Sequence, residues 1–437
     1  MSLHPSSRTE AFADALRGEL GGRGWLIHDA DRGGYRASSP RLQPLADFLT
    51  TDRRDVRSHE AVFFETGRGS GALFAAVIHG TRRGQAQGGV RHWPYPDVER
   101  FLRDGLRLSA GMTRKNALAH LWWGGGKGLI ARVPDAQIRD PDFRRSLYRE
   151  YGAFVSRLRG CYVTAEDVGT SPLDMAEVAR TTRFSTCVPH EQGGAGNPSG
   201  TTARGVVCAM EAALEVLELG DLAGKKVVLQ GTGQVGSVLV RLLLERGVAQ
   251  IVASEICPEL RENLLDDLAG EPVEIRLARP EDRSILAEPC DVLAPAALGG
   301  VLGPKTIPDV RAKLVCGPAN NPLCDDARDA SALAARGIAY VPDFVANRMG
   351  IVACANEQYG SLVGDPAVAR HFDPDWEGGI RRTTLRLFRE AEAEGITPLD
   401  AALRLADSLA SEPHPIWGHR TRQLIESLTS NGWATGR

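Results

Sequence analysis

The sequence predicts an α/β protein built from two domains, and three observations support this fold class. The chain is 437 residues long, and at about 150 residues per domain this exceeds what a single core usually holds. Its second half alternates short apolar runs with helical stretches, a pattern typical of a largely parallel sheet. Between one such run and the next helix lies a glycine-rich turn, Gly231-Thr232-Gly233-Gln234-Val235-Gly236.

The first half of the chain contains predicted strands and helices in irregular order. Residues 1–45 are polar and rich in arginine and glycine, and they indicate an N-terminal extension or a small helical cap. Apolar runs bounded by glycine-rich turns predict strands, and apolar residues at spacings of three and four predict helices. The predicted elements are strands at 61–65 and 71–78, and helices at 98–111, at 143–158 and from Ser171.

The second half is more regular. A helix over 202–218 precedes six apolar runs, at 226–230, 250–253, 273–277, 290–294, 313–316 and 338–342. Helical or short connecting stretches separate these runs, as in successive βαβ units. Further helices are predicted at 380–394 and 399–409.

The glycine-rich turn has the spacing and the context of a dinucleotide-binding fingerprint. Gly231 would make the tight turn, Gly233 would let the backbone approach a pyrophosphate, and Gly236 would let the helix pack closely on the strand. Gln234 and Val235 complete the turn at the helix N-terminus, which favours an anion. We therefore predict a Rossmann-type doubly wound domain that binds a dinucleotide.

An acidic residue about 20 positions further on distinguishes the two nicotinamide cofactors. Glu255 ends the next apolar run, 19 residues after Gly236. Its carboxylate could accept hydrogen bonds from both ribose hydroxyls and would repel a 2′-phosphate. The sequence therefore predicts NAD rather than NADP as the cofactor.

Composition excludes several other classes of protein. Hydrophobic residues make up 43% of the chain and charged residues 24%, as in ordinary globular proteins. The formal net charge of −3 leaves no basic excess for nucleic acid, and no polybasic run suggests a lipid surface. No window reaches 18 consecutive apolar residues, and the first 30 residues lack the apolar segment of a signal peptide. We expect neither nucleic-acid nor membrane partners.

The eight cysteines show no CxxC pair and no clustering. In a chain of this length they indicate reduced thiols in a cytoplasmic protein. The same spacing argues against a structural zinc site, and no metal site is predicted.

Two lysines stand out in an arginine-rich chain. Only six of the 52 basic residues are lysines, and Lys115 and Lys127 are the only two in the first 224 residues. Arginine cannot lose its proton in a protein, whereas lysine can shift its pKa and exchange a proton. Both positions are therefore candidates for chemistry.

The chain resembles the glutamate/leucine/phenylalanine/valine dehydrogenase family, and most closely its leucine and phenylalanine dehydrogenase branch. The resemblance extends from about residue 60 to about residue 360 and leaves both ends of the chain uncovered. The matching motifs are Gly88-Gly89-Val90-Arg91, residues 111–117, residues 124–128, residues 164–170, Gly196-Asn197-Pro198-Ser199, the glycine-rich turn and Ala319-Asn320-Asn321.

The resemblance implies the reversible oxidative deamination of an L-amino acid to a 2-oxo acid, with hydride passing to the nicotinamide. Lys127 then corresponds to the catalytic lysine that activates water and polarises the carbonyl, and Asp167 to the acid/base for the amino group. Lys115 corresponds to the residue that binds the substrate carboxylate. Asn320 corresponds to the asparagine that orients the substrate, and Thr202 to the threonine that contacts the carboxamide.

The chemistry requires Lys127 to lose its proton near neutral pH, although the ordinary pKa of a lysine is about 10.4. Burial lowers that pKa, and so does a like charge nearby. Two ammonium groups about 6 Å apart, such as Lys127 and Lys115, would repel by roughly 3 kcal/mol, or about two pKa units.

The residues expected around the substrate side chain favour a neutral amino acid, aliphatic or aromatic. Family members specific for glutamate carry a lysine ahead of the GlyGlyxArg element, and the matching residue here is Gln87. The other expected pocket residues are Ala165, Ile351 and Cys354. This lining is mostly apolar with one amide, and the sequence leaves the choice of amino acid open.

Arg348 and Met349 stand where the leucine dehydrogenase branch has two small residues. Arg348 could point to solvent, close the pocket or receive an anionic group. The last two outcomes would change the substrate or abolish activity, so a catalytically silent nucleotide- or amino-acid-binding regulatory protein is the alternative function.

The resemblance also implies two domains around a cleft and a homo-oligomer of unspecified size. Residues 1–198 would form the substrate and oligomerisation domain, with the C-terminal helices of 353–437 returning to it. Residues 199–352 would form the NAD-binding domain.

Overall fold

A computed structural model describes residues 3–131, 133 and 135–435. They form two compact units. The first unit runs to Asn197 and also includes Cys354–Ser361 and the chain from Ser408. The second unit comprises Pro198–Ala353 and Leu362–Asp407.

The elements up to Asn197 are α1 (Thr9–Leu20), β1 (Arg23–Asp29), β2 (Gly34–Ala37), α2 (Gln43–Thr51), β3 (Ala61–Thr66), β4 (Leu73–Gly80), β5 (Ala86–Trp93), α3 (Val98–Leu118), β6 (Gly124–Ala131), α4 (Asp135–Ile138), α5 (Pro141–Arg157), β7 (Tyr162–Ala165) and α6 (Pro172–Ala179). After Pro198 follow α7 (Ser199–Val216), β8 (Lys226–Gln230), α8 (Gln234–Glu245), β9 (Gln250–Glu255), α9 (Pro258–Asp267), β10 (Val273–Leu277), β11 (Val292–Pro295), β12 (Leu314–Val315), α10 (Asp326–Ala335), β13 (Ala339–Tyr340), α11 (Asp343–Ala346), α12 (Met349–Glu357), α13 (Pro366–Ala369), α14 (Ile380–Glu394), α15 (Pro398–Ala410) and α16 (Arg420–Ser430).

The first unit is built on a mixed sheet with the strand order β2-β1-β3-β4-β6-β5-β7. Neighbouring strands from β2 to β6 are antiparallel, whereas β5 runs parallel to both β6 and β7. The predicted strands at 61–65 and 71–78 are confirmed as β3 and β4. The helices predicted at 143–158 and from Ser171 are confirmed as α5 and α6, and α6 begins with a capping box between Ser171 and Asp174.

The N-terminal residues are part of this sheet, so the expectation of an extension or cap for residues 1–45 was wrong. Strand β1 pairs with β3, and Phe12, Leu16 and Leu26 are fully buried in the core of the unit. The segments are short, and arginine and glycine interrupt their apolar pattern. Periodicity alone therefore missed them.

Helix α3 continues to Leu118, beyond the end predicted near Gly111. Its last turns pack on the sheet, and the Asn116 side-chain amide donates a hydrogen bond to the carbonyl of Gly124 at 2.6 Å. A glycine inside a helix costs about 1 kcal/mol, and this packing outweighs it.

The second unit contains a sheet of six parallel strands in the order β10-β9-β8-β11-β12-β13. The chain begins at β8, adds β9 and β10 on one side, and then adds β11, β12 and β13 on the other. This reversal is the topological switch point at which doubly wound folds bind their ligands. The predicted Rossmann-type sheet is confirmed, and each of its six predicted strands is present.

The C-terminal chain does not return as a whole to the first unit. Residues 362–407 belong to the second unit, because α14 packs along α7: a Cβ on Gly205 of α7 would come within 3.1 Å of Ile380 of α14. Only 354–361 and the chain from Ser408 belong to the first unit. The expected boundaries therefore need correction within 353–437.

Arg348 lies in the interior of the second unit, and the possibility that it points to solvent was wrong. Its side chain is 0% exposed. The guanidinium donates to the carbonyl of Gly378 and contacts the Thr383 hydroxyl oxygen at 3.5 Å. Burial lowers its pKa to about 10. Arg348 therefore links the chain just before α12 to the residues at the start of α14.

Replacing Arg348 by alanine should lower the melting temperature by roughly 5–10 °C, because truncating a buried side chain of this size costs about 2–5 kcal/mol. Differential scanning fluorimetry provides the measurement. The matched control is Arg386→Ala on the exposed face of α14, where an Arg386–Glu390 ion pair should contribute about 0.5 kcal/mol or less. Equal melting temperatures for the two variants would contradict the anchoring role of Arg348.

Candidate active site

One face of the first sheet carries several of the predicted site residues. The register pairs Gln87 with Gly125 and Arg91 with Leu129, so the side chains of Gln87, Arg91 and Lys127 project from the same face. Helix α3 covers this face, since a Cβ on Gly105 would lie 2.8 Å from Leu129. Lys127 is therefore a lysine in a central strand, enclosed between sheet and helix, with its side chain 4% exposed.

The glycines around Lys127 allow neighbouring side chains to approach the strand. A Cβ on Gly128 would lie 2.1 Å from the Tyr151 hydroxyl, and one on Gly125 would lie 2.1 Å from the Thr113 hydroxyl oxygen. The buried strand β6 is thus packed against α3, and Tyr151 of α5 approaches it at Gly128.

Lys127 and Asp167 form a direct ion pair. The Lys127 Nζ lies 2.9 Å from the Asp167 Oδ2. Asp167 follows β7 in a loop that Thr170 closes: the Asp167 amide donates to the Thr170 hydroxyl oxygen at 2.9 Å, and that hydroxyl donates back to the Asp167 carbonyl at 2.7 Å. The two predicted catalytic residues are thus brought together.

Arg91 is the second cation on the same carboxylate. Its Nε donates to Asp167 Oδ2 at 3.0 Å, and its Nη1 lies 3.2 Å from both carboxylate oxygens of Asp104 on α3. The Tyr95 hydroxyl donates to Asp104 Oδ2 at 2.6 Å. Sequence reasoning left Arg91 aside and did not consider Asp104 or Tyr95. Alternate residues of a strand point to the same face, so counting along β5 from Gln87 could have placed Arg91 on the face that carries Lys127.

The charges determine the protonation of the pair. Burial would raise the pKa of Asp167, but Arg91 and Lys127 outweigh burial and hold that pKa well below its ordinary value. Burial is also the largest influence on Lys127 and lowers its pKa. Asp167 opposes this effect, Arg91 adds to it, and the pKa of Lys127 stays below its ordinary value. The direction is the one that the chemistry requires.

Glu166 lies beside Asp167 and behaves differently. Burial, followed by repulsion from Asp167 and Asp174, raises the pKa of Glu166 to about 7. The Asn197 side-chain amide donates to Glu166 Oε1 at 3.3 Å. Adjacent carboxyl groups in this loop therefore have pKa values displaced in opposite directions.

Gly89 makes room for the Asp167 loop. A Cβ at this position would lie 2.4 Å from the Glu166 carbonyl oxygen and 2.7 Å from the Asp167 Cβ. The glycine therefore sets how closely the loop approaches β5.

The other predicted residues of the first unit occupy its buried interior. Lys115 is 8% exposed and lies in the last turn of α3, close to Met112, which packs against Gly88. Ala165 ends β7, and Cys354 is buried, with the pKa of its thiol raised first by the neighbouring Cys187 side chain.

Gln87 is fully buried, and neither its amide nitrogen nor its amide oxygen has a hydrogen-bond partner within the described residues. An unpaired buried amide is costly, so a ligand group able to donate and accept a hydrogen bond fits this position. Ile351, in α12, belongs to the second unit and is 7% exposed.

The glycine-rich turn has the features that a dinucleotide pyrophosphate requires. Gly231 has φ +98°, in the region that favours glycine. A Cβ on Gly233 would meet no chain atom within 4 Å, whereas one on Gly236 would lie 2.4 Å from the Gly231 carbonyl oxygen. Gln234 and Val235 begin α8. The turn thus has open space at its second glycine and close packing at its third.

Glu255 has a structural role that sequence reasoning missed. Its Oε2 accepts from the Thr232 amide at 3.0 Å and from the Thr232 hydroxyl at 2.8 Å. Its Oε1 accepts from the amides of Ile256 at 2.8 Å and Cys257 at 3.0 Å. A carboxylate has about four acceptor positions, so the ribose hydrogen bonds expected for Glu255 would have to replace one of these. Its charge still lies beside the turn.

Thr202 and Asn320 lie in the second unit. The Thr202 hydroxyl donates to the Pro198 carbonyl at 2.8 Å, and a Cβ on Gly350 would lie 2.7 Å from that hydroxyl. Asn320 follows β12, and its side-chain oxygen accepts a hydrogen bond from the Asn347 amide at 3.0 Å.

Two family models match the chain. The Glu/Leu/Phe/Val dehydrogenase dimerisation domain matches residues 62–184, and the Glutamate/Leucine/Phenylalanine/Valine dehydrogenase model matches 193–256 and 261–408. The chain belongs to this family. It is therefore an amino acid dehydrogenase, an oxidoreductase that acts on CH–NH2 groups with a pyridine nucleotide. The match continues to residue 408, beyond the limit near 360 expected from motifs.

Individual relatives agree with the family match. A valine dehydrogenase of Streptomyces albus is 38% identical over 370 residues, covering 84% of this chain and 96% of that protein. A leucine dehydrogenase of Geobacillus stearothermophilus is 39% identical over 309 residues, covering 70% and 80%. The crystal structure of L-tryptophan dehydrogenase from Nostoc punctiforme superposes with a TM-score of 0.61 at 33% identity, covering 81% and 96%.

Within the described ranges, no helix of this dehydrogenase combines the length and apolarity needed to cross a bilayer. In the same part of the chain, no three His, Cys, Asp or Glu side chains are arranged to hold a metal ion.

Replacing Gly89 by alanine should reduce amino-acid-dependent reduction of the nucleotide by about 10²-fold, because the added methyl group displaces the Asp167 loop and such a displacement costs roughly this much. Steady-state kinetics provides the measurement. Gly18→Ala is the matched control, since a Cβ at Gly18 would meet nothing within 4 Å. Normal turnover by the Gly89 variant would show that the loop position does not matter.

Proposed function

We propose that the protein catalyses the reversible, NAD-dependent oxidative deamination of a neutral L-amino acid, aliphatic or aromatic, to the 2-oxo acid and ammonia. The observation that carries this proposal is the buried contact of 2.9 Å between Lys127 Nζ and Asp167 Oδ2. A lysine enclosed in a sheet with a lowered pKa is a group that can be neutral when substrate is present.

Lys127 then acts as the general base. After hydride has left Cα, its neutral amine takes a proton from the water that adds to the resulting imine carbon. The ammonium so formed polarises the oxygen on this carbon while the C–N bond breaks and ammonia leaves, which gives the 2-oxo acid. Asp167 exchanges a proton with the substrate nitrogen. Because Arg91 and Lys127 favour the carboxylate form, Asp167 returns this proton readily once the nitrogen is ready to leave.

Lys115 binds the substrate carboxylate in this proposal. Lys115 is 8% exposed, so its interaction with an anion would meet little competition from bulk water. Asn320 orients the substrate, and its link to Asn347 supports that assignment.

The second unit holds the nucleotide at its glycine-rich turn. Gly231, Gly233 and Gly236 shape the turn, and the N-terminus of α8 faces the pyrophosphate. Bound NAD supplies the acceptor for the hydride that leaves Cα. The charge of Glu255 disfavours a 2′-phosphate, which supports NAD over NADP, and Thr202 is assigned to the carboxamide.

The side-chain pocket is assigned to Gln87, Ala165, Ile351 and Cys354. Relatives named for valine, leucine, phenylalanine and tryptophan support a neutral substrate. The absence of a cation at position 87 argues against a carboxylate-bearing side chain such as that of glutamate.

The proposal includes a homo-oligomer in the cytoplasm. The first family model is described as a dimerisation domain, and all eight cysteines are free thiols, which suits a reducing compartment.

The proposed activity predicts NADH formation from NAD with neutral L-amino acids, at a higher kcat/KM than with NADP. Lys127→Arg should lower kcat by roughly 10²–10⁴-fold, because arginine keeps the charge but cannot act as a base. Absorbance at the NADH band over an amino acid panel provides the measurement.

Lys313→Arg is the control, since Lys313 is an exposed lysine paired with Asp291 and should tolerate the change. Near-normal turnover by Lys127→Arg would refute the mechanism. Nucleotide binding by the wild-type protein without turnover of any amino acid would favour a silent regulatory protein.

Gln87→Leu should raise the preference for aliphatic over polar amino acids by about tenfold in kcat/KM, because it replaces an unpaired buried amide by an apolar group. For the same reason the melting temperature should stay equal or rise. The control is Gln85→Leu, which breaks the 2.6 Å hydrogen bond from Gln85 to the Gly160 carbonyl and should lower stability without changing specificity. An unchanged substrate profile for Gln87→Leu would remove Gln87 from the pocket.

A further inference from the structure

The guanidinium of Arg91 joins two carboxylates that lie on different elements. Through Nε it contacts Asp167, in the loop after β7, and through Nη1 it contacts Asp104, on α3. Only 13% of the Arg91 side chain is exposed. Both carboxylates therefore fix the Arg91 guanidinium, so a movement of either one would also displace Arg91.

Arg91 and Lys127 share a single oxygen atom. Asp167 Oδ2 lies 3.0 Å from Arg91 Nε and 2.9 Å from Lys127 Nζ, so the two nitrogens are at most about 6 Å apart. At this separation two positive charges inside a protein repel strongly enough to displace a lysine pKa by roughly one to two units. The same contact also fixes the direction from which Asp167 approaches Lys127.

We propose that Arg91 is a positioning residue for the reaction: anchored by Asp104, it holds the Asp167 carboxylate against Lys127 and places a second positive charge beside the Lys127 amine. This inference rests on the catalytic roles proposed above for Lys127 and Asp167. It assigns to Arg91 the like-charge effect that sequence reasoning attributed to Lys115.

The charge environment of Lys127 comes from every element packed against it. Asp167 and Asp104 favour its protonated form, whereas Arg91 opposes it. The charged groups that act on Lys127 are Asp167 in the loop after β7, Arg91 on β5 and Asp104 on α3. His79 on β4 lies on the face that α3 covers, where its ring contacts Thr113, and the buried Lys115 lies near the end of α3.

A purely structural arginine of the same kind exists in this unit. Arg103 Nη1 lies 2.8 Å from Asp52 and 2.6 Å from Asp55, and its Nε donates to Glu99 at 2.9 Å, so it also joins carboxylates of different elements. It has no contact with Lys127 or Asp167. Comparing variants at Arg91 and at Arg103 therefore distinguishes an effect on the reaction from an effect on stability.

Arg91→Gln should move the acid limb of the kcat/KM profile for oxidative deamination to higher pH by roughly one to two units, because removing the cation raises the pKa of Lys127. At neutral pH this corresponds to a loss of activity of about 10- to 100-fold. Arg91→Lys keeps the positive charge but loses the contact with one of the two carboxylates. The acid limb of its kcat/KM profile should therefore lie closer to that of the wild-type enzyme. Amino-acid-dependent NADH formation from pH 6 to about pH 11 provides the profile.

Asp104→Asn is a second variant, for which we expect the acid limb to shift in the opposite direction. Removing this anion lowers the pKa of Lys127, so the acid limb should move to lower pH. A residue that only stabilised the fold would lower activity in both variants without moving the limb in opposite directions.

Arg103→Gln should lower the melting temperature and leave the acid limb unchanged. The inference is overturned if Arg91→Gln shows the limb of the wild-type enzyme, or if Arg91→Gln and Asp104→Asn move the limb in the same direction. If the wild-type protein forms no NADH with any amino acid, the proposed function itself fails. If Lys127→Arg retains turnover in the same assay, the role of Lys127 fails. Both outcomes are distinct from a failure confined to Arg91.

Discussion

A lysine enclosed between a sheet and a helix can be tolerated only if its charge is balanced, yet its chemistry requires that the charge can be lost. Asp167 supplies the balance through a contact of 2.9 Å. Burial and Arg91 act in the opposite direction. The site therefore depends on a buried group of three charges in which no single partner dominates, and the surrounding elements serve to hold these three groups at fixed separations.

Glycine makes this arrangement sterically possible. At Gly125 and Gly128 the missing Cβ lets α3 and two tyrosines approach the strand that carries Lys127, and at Gly89 it lets the Asp167 loop approach β5. These glycines bring strand, helix and loop near enough for a side chain of β6 to meet one that follows β7.

The sequence predicted the parts of the molecule in which one local signal determines the structure. The six apolar runs and the glycine-rich turn specified the parallel sheet, the scarcity of lysine drew attention to Lys127, and the family resemblance indicated Asp167. It did not predict features that depend on contacts between distant residues. Strand β1 is recognisable only through its pairing with β3, Arg91 acts through Asp104 on another element, and the Glu255 carboxylate is occupied by its own chain. Periodicity contains no information about such pairings.

The division of the chain has a consequence for how the protein is made. The polypeptide passes between the units at 197–198, 353–354, 361–362 and 407–408. Domains usually fold in turn as they leave the ribosome. Here the early-synthesised sheet lacks α16 and Trp433, whose ring packs edge-on against Phe63 of β3 with centroids 5.2 Å apart, until the second unit has been synthesised. Neither half can be excised as one continuous fragment. A nascent chain must therefore carry an unfinished first unit through the synthesis of the entire second one.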